Sequence, residues 1–207
     1  MSRIFICGTD TDAGKTVVSA IFTEALQADY WKPVQSGEPD GGDRSRVEQL
    51  VSNKKSFFHK ESYHTNTPMS PHASAAVDGV TIKLSEIKVP KTSAPLIIEG
   101  AGGLLVPLND EDCIIDLMVQ TDSKAVLVSK HYLGSINHTL LSIEALKLRN
   151  IPIAGIIFNG DEHPTTEEII LKKSGLKMLG RVRQEAAITP EVIKKYALEM
   201  RDTLRHI

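Results

Sequence analysis

Short apolar runs alternate along this chain with longer stretches in which apolar residues recur every three or four positions. The runs at residues 4–7, 30–34, 96–99, 125–129, 153–158 and 178–182 predict strands. Most are apolar along their whole length, the pattern of parallel strands buried on both faces. Residues 15–28 carry Val18, Ile21, Phe22, Ala25 and Leu26 at helical spacing. Further helices are predicted over 43–52, 112–119, 136–149, 166–173 and 190–204. Alternating strands and helices give a doubly wound, mostly parallel α/β sheet, here expected as one domain over residues 1–207. Residues 54–91 break the pattern. They are polar, contain Pro68, Pro71 and Pro90, and predict loops with one short helix.

Composition narrows the class of function. A formal net charge of -2 supplies no electrostatic reason for a nucleic-acid partner. No run reaches the ~18 apolar residues of a membrane span. The N-terminal apolar stretch is short and runs at once into Gly8 and Asp10, unlike a secretion signal. The two cysteines, Cys7 and Cys113, are expected as small buried apolar residues, and the chain as cytoplasmic and reduced.

Candidate chemistry begins where the first predicted strand meets the first helix. Gly8-Thr9-Asp10-Thr11-Asp12-Ala13-Gly14-Lys15-Thr16 has the makings of a phosphate loop. Glycines let backbone N–H groups approach a phosphate, and the helix N-terminus faces the anion. Lys15 would reach the terminal phosphates and the Thr16 hydroxyl would ligate Mg²⁺. Five residues separate Gly8 from Gly14, one more than the simple P-loop pattern. A turn that binds nothing is the alternative.

Two further features point to the same edge of the sheet. The run 96–99 ends in Glu99, followed by Gly100-Ala101-Gly102-Gly103, so a carboxylate is expected at a strand end facing the ligand crevice. There it would hold Mg²⁺ directly or through water, or else merely end the strand in solvent. Asp43 follows two glycines at a helix start and is either a metal ligand or an N-cap. Lys32 interrupts an apolar run; a buried ammonium needs an anion, which a phosphate or carboxylate substrate would supply, whereas one at an edge would reach solvent.

These segments, with Lys32-Pro33-Val34-Gln35-Ser36-Gly37, Ser70-Pro71-His72 and Leu133-Gly134-Ser135-Ile136-Asn137-His138, occur in one order. Together they closely resemble the dethiobiotin synthetase family, for which the long glycine spacing is itself typical. The resemblance implies a P-loop nucleoside triphosphate hydrolase fold. It implies an ATP- and Mg²⁺-dependent ligase that joins CO2 to 7,8-diaminopelargonic acid through a carbamate and a carbamic-phosphoric anhydride. Lys15 and Lys32 would be the catalytic cations, with Thr16, Asp43 and Glu99 around the metal. Thr11, Asp12, Ala13, Gly14, Lys15, Thr16 and Val17 would wrap ATP. Gly100, Ala101 and Gly102 would lie beside it, and Asn159 would contact adenine. Ser36 would bind substrate, as would Gly134, Ser135, Ile136 and Asn137 of the partner in a homodimer. The family usually carries an Ile-Pro pair after the last strand, where this chain reads Arg181-Val182-Arg183-Gln184.

Two other readings remain open on sequence alone. Partition and cell-division ATPases usually add a lysine early in the loop, and none precedes Lys15 here. Cobyrinic-acid-type amide ligases carry a glutaminase region with a nucleophilic cysteine, a setting neither Cys7 nor Cys113 occupies.

Overall fold

The computed structural model describes residues 2–207. Its centre is a seven-stranded sheet. In chain order its strands are β1 (Arg3–Gly8), β2 (Asp29–Trp31), β4 (Phe58–His59), β6 (Leu96–Gly103), β7 (Lys124–Lys130), β8 (Ile153–Asn159) and β9 (Met178–Val182). Across the sheet they lie β4-β2-β6-β1-β7-β8-β9, every pair parallel. The order reverses at β1, so the loop leaving its C-terminal end opens at the topological switch point, where such sheets bind ligands.

The apolar runs explain why both faces are covered. Ile4 and Ile6 of β1 pack with Ile97, Val126 and Ile157 on one face. Phe5 and Cys7 point the other way, with Ile98, Leu127 and Phe158. The first face is roofed by α1 (Lys15–Leu26), α2 (Gly42–Leu50) and α7 (Pro190–Leu204). The second is roofed by α4 (Ile114–Thr121), α5 (Ser135–Leu148), α6 (Pro164–Ser174) and the short α3 (Pro71–Val77). Full burial of one Ile or Phe contributes roughly 1.5–3 kcal/mol, so alternation within each run holds both layers to one sheet.

Three expectations need correction. The single strand expected over 30–34 is two: β2 stops at Trp31, and Val34–Ser36 forms β3 in a separate two-stranded sheet with β5 (Tyr63–Thr65). Pro33 has no N–H for the central ladder, and its carbonyl instead accepts from Ser62 and Tyr63. The region 54–91 contains the expected short helix, but also β4 and β5, too short to show a periodicity. Cys7 is buried, whereas Cys113 is only half-buried and caps the start of α4.

Candidate active site

The phosphate loop is shaped by its own backbone before any ligand enters. Asp10 Oδ1 accepts from Thr11 N at 2.7 Å and caps a single 3-10 turn, Thr11–Ala13. Gly14 then sits at φ 98°, a left-handed conformation that costs a side-chain-bearing residue strain. α1 begins at Lys15, whose ammonium is folded back onto the loop, 2.8 Å from Asp10 O and 3.0 Å from Thr11 O. Burial lowers the Lys15 pKa; the Glu99 charge opposes this and Lys32 adds to it. The loop carbonyls thus hold the ammonium at the mouth of the loop, where a phosphate would compete for it.

Glu99 is not at a strand end, as expected, but inside β6, which continues to Gly103 because Gly8 pairs with Gly103. It is nonetheless at the cleft, because β6 runs on alongside the loop. The Thr16 hydroxyl lies 2.9 Å from Glu99 Oε1 and 3.0 Å from Asp43 Oδ1. Asp43 is not an N-cap, a position taken by Gly41; it sits in the first turn of α2 with its side chain turned to the loop. Lys32 follows β2 and is buried, its ammonium bridging Asp43 Oδ2 and Glu99 Oε1, the latter at 3.3 Å. The anion its burial requires therefore comes from the chain itself. Burial would lower the Lys32 pKa, but the Glu99 and Asp43 charges raise it overall. Asp43 is pushed up by burial and drawn down further by Lys32, Thr16 and Arg46, ending below the usual carboxylate range.

Behind these groups, Tyr30 of β2 donates its hydroxyl to Glu99 Oε2 at 2.8 Å. Burial and the Glu99 charge hold its phenol well above the ordinary value, so it stays a donor. The cleft enclosed this way has a volume of about 520 Å³. Thr11, Asp12, Lys15, Thr16, Lys32 and Ser36 line it, as do Asp43, Glu99, Ala101 and Gly102. Ser36 Oγ is buried there without a hydrogen-bond partner.

Next to it, Asn159 at the end of β8 donates Nδ2 to Ala13 O at 2.8 Å. With Val17, Lys130, Val182, Arg183 and Gln184 it lines a second hollow of about 310 Å³.

A family model described as an AAA domain matches residues 2–192. The ATP-dependent dethiobiotin synthetase BioD of Christiangramia forsetii is 55% identical over 203 residues, 98% of each chain. That of Cytophaga hutchinsonii is 50% identical, again over 98% of each chain. The chain belongs to the ATP-dependent dethiobiotin synthetase family. Among solved structures it is similar to the cell division ATPase MinD of Pyrococcus furiosus, with a TM-score of 0.61 at 15% identity over 100% of this chain and 99% of that one. It is also similar to a putative plasmid partition protein of Borrelia burgdorferi, with a TM-score of 0.59 at 9% identity over 99% and 97%. At those identities the likeness establishes the P-loop fold and nothing of activity.

Within this family member, the remaining expected site residues lie in three settings. Ala13 and Gly14 form the loop floor, and Val17 faces the hollow beside Asn159. Gly100 does not line the cleft: a Cβ there would meet Phe5 Cε1 at 2.8 Å, so it serves packing on the opposite face. Gly134, Ser135, Ile136 and Asn137, at the start of α5, line a separate hollow with His131 and His163 and do not reach the phosphate cleft of their own chain.

The replacement of Ile-Pro also has a structural account. Arg181 turns inward, bonding Glu167 and the carbonyls of Gly160 and Asp161, and the wall beside Asn159 is built from Arg183, Gln184 and Glu185. Sequence reasoning missed Gln35, Met69 and Arg46 as cleft residues, and Tyr30 as the partner of Glu99. Tyr30 alone left a signal: a hydroxyl-bearing residue inside an apolar strand.

Proposed function

We propose that this chain catalyses the ATP- and Mg²⁺-dependent ring closure of 7,8-diaminopelargonic acid with CO2 to dethiobiotin, ADP and phosphate, as a single-domain P-loop ligase of the cytoplasm. The family assignment supplies the ligase activity and the use of ATP. The observation that carries the site assignment is the convergence of Lys32, Thr16, Asp43 and Glu99 at the mouth of the phosphate loop. One amine of the substrate takes up CO2 as a carbamate and releases a proton. The carbamate oxygen attacks the γ-phosphate, ADP leaves, and the second amine closes the ring with loss of phosphate. Negative charge gathers on the carbamate and the transferring phosphoryl group. Lys15 and Lys32 are the cations placed to offset it, the kind of electrostatic help that dominates phosphoryl transfer.

The residues present fit a hard cation. Thr16 Oγ1 has one proton yet lies within hydrogen-bond distance of two carboxylate oxygens, so one of those contacts brings two oxygens together without a proton. An all-oxygen set of a hydroxyl and two carboxylates is what Mg²⁺ takes. When bound, Mg²⁺ would neutralise phosphate charge, with Thr16, Asp43 and Glu99 as the residues holding it. Asn159 would border the adenine, and Ser36 would bind substrate.

A homodimer is supported by the surface around Gly134–Asn137. Leu133, Leu105 and Leu141 are exposed on that flank, an apolar area a second copy would cover. The helix start there would give the partner's substrate carboxylate its N–H groups. Among the described residues, no helix is long and apolar enough to cross a membrane.

The direct test mixes protein, Mg²⁺, ATP, bicarbonate and diaminopelargonate and looks for dethiobiotin by mass. Product formed only with all components supports the reading. ADP release that does not require the diamine would overturn it in favour of an ATPase switch.

A further inference from the structure

The Tyr30 hydroxyl lies at the end of an aromatic ring that is otherwise wholly in the apolar core, packed with Phe58. A phenylalanine would fill that space equally well, so the oxygen is there for a polar reason. Its partner is Glu99, itself buried. Tyr30 pairs with Ile97 across the β2–β6 ladder, and Glu99, two residues further on, shares the face of Ile97. The sheet therefore brings the phenol to the back of the carboxylate by register, without a loop. The two oxygens of Glu99 are thereby divided. Oε2 accepts from Tyr30 at 2.8 Å, while Oε1 faces the cleft, 2.9 Å from Thr16 Oγ1 and 3.3 Å from Lys32 Nζ. Left alone, a carboxylate turns about its last bond with little resistance.

We propose that Tyr30 is a positioning residue that pins Glu99 so that Oε1, and only Oε1, is presented to a divalent metal ion in the cleft. This rests on the reading of Glu99 as a metal-holding residue. Groups that orient a metal-binding carboxylate from behind typically change metal affinity or activity about 10–100-fold when removed.

The test compares wild type, Tyr30→Phe, Glu99→Gln and the double variant. Mn²⁺ is titrated in the presence of a non-hydrolysable ATP analogue, with free Mn²⁺ read by electron paramagnetic resonance. The Mg²⁺ half-saturation of turnover and the urea midpoint are measured beside it. Tyr30→Phe is expected to weaken Mn²⁺ binding about tenfold and to raise the Mg²⁺ half-saturation by a similar factor. At saturating metal the KM for ATP stays unchanged. The double variant should bind Mn²⁺ no more weakly than Glu99→Gln alone, because both changes act through one carboxylate. A shifted urea midpoint with unchanged Mn²⁺ affinity in Tyr30→Phe would reduce Tyr30 to a packing role and overturn the proposal. So would additive effects in the double variant. If Glu99→Gln also leaves Mn²⁺ affinity unchanged, the metal role of Glu99 fails and the proposal fails with it. If Glu99→Gln weakens binding and Tyr30→Phe does not, only the positioning role is lost.

Discussion

The side chain of Asn159 rests directly on Gly14: a Cβ built at Gly14 would lie 2.4 Å from Asn159 Nδ2. The same amide bonds the carbonyl of Ala13, so the end of β8 is latched to the phosphate loop through a gap that only glycine leaves open. The left-handed φ of 98° makes the demand double, one part steric and one part conformational.

Gly14→Ala is therefore expected to push Asn159 off the loop and strain the backbone, at about 1–3 kcal/mol of stability. ATP affinity should fall at least tenfold, as read by titration with a fluorescent ATP analogue. Affinity within twofold of wild type would show that the latch does not shape the nucleotide site.

Lys32→Ala is expected to reduce dethiobiotin formation to near background. It also leaves Asp43 and Glu99 facing each other without the ammonium between them, so the urea midpoint should drop, by up to about 3 kcal/mol in stability. The wild-type pair has a raised Lys32 and a lowered Asp43. Its contribution is present above the unfolded aspartate value of about 3.9 and below the unfolded lysine value of about 10.4. The deficit of the variant should be full at neutral pH and shrink in acid, as the wild-type pair loses its own contribution below the unfolded aspartate value of about 3.9. Near-normal turnover by a folded variant would remove Lys32 from the chemistry.

Acid stability is expected to depend on the cluster of His131, Glu167 and Arg181. Burial acts to raise the Glu167 pKa, but the hydrogen bonds from Arg181, His163 N and His131, with the Arg181 charge, hold it at about 2. A folded value below the unfolded 4.5 means that stability is present above pH 4.5 and is lost as pH falls toward about 2. Burial also holds His131 below 6.5, so protonation already favours the unfolded chain from that pH downward. Glu167→Gln should cost on the order of 2 kcal/mol at pH 7 and flatten the loss of melting temperature with acid. A melting curve series parallel to wild type would refute this role.

If two copies pair across the proposed flank, Leu133→Asp at this wholly exposed position is expected to give a monomer where wild type gives a dimer in light scattering after gel filtration. The folded monomer should lose diamine affinity while keeping ATP affinity, because the phosphate cleft is built from one chain. A variant that remains dimeric would move the interface elsewhere.

The order and spacing of local signals determined much on their own. The apolar runs located six of the nine strands among the described residues, and the alternation with helices implied the parallel sheet. The phosphate loop was legible because its chemistry is sequential: glycines, lysine and threonine act within one turn of chain. The last helix, residues 190–204, was legible too, since Pro190 and the helical periodicity mark it locally.

What the sequence left open was every question of partnership. Asp43 as cap or ligand, Lys32 as solvated or paired, and Glu99 as strand end or cleft carboxylate are choices between local and long-range contacts, and no local propensity separates them. The tertiary structure took Asp43 off the cap, paired Lys32 and turned Glu99 to the cleft by bringing residues 11, 27, 67 and 83 positions apart into hydrogen-bond distance. The short strands β4 and β5 were likewise invisible, because their pairing energy comes from neighbours across the sheet rather than from their own residues, and although Pro33 marks a break locally, only the fold shows that Val34–Ser36 then pairs with β5. Tyr30 shows the division most plainly: its hydroxyl was written in the chain, and only the β2–β6 register gave it Glu99 to hold.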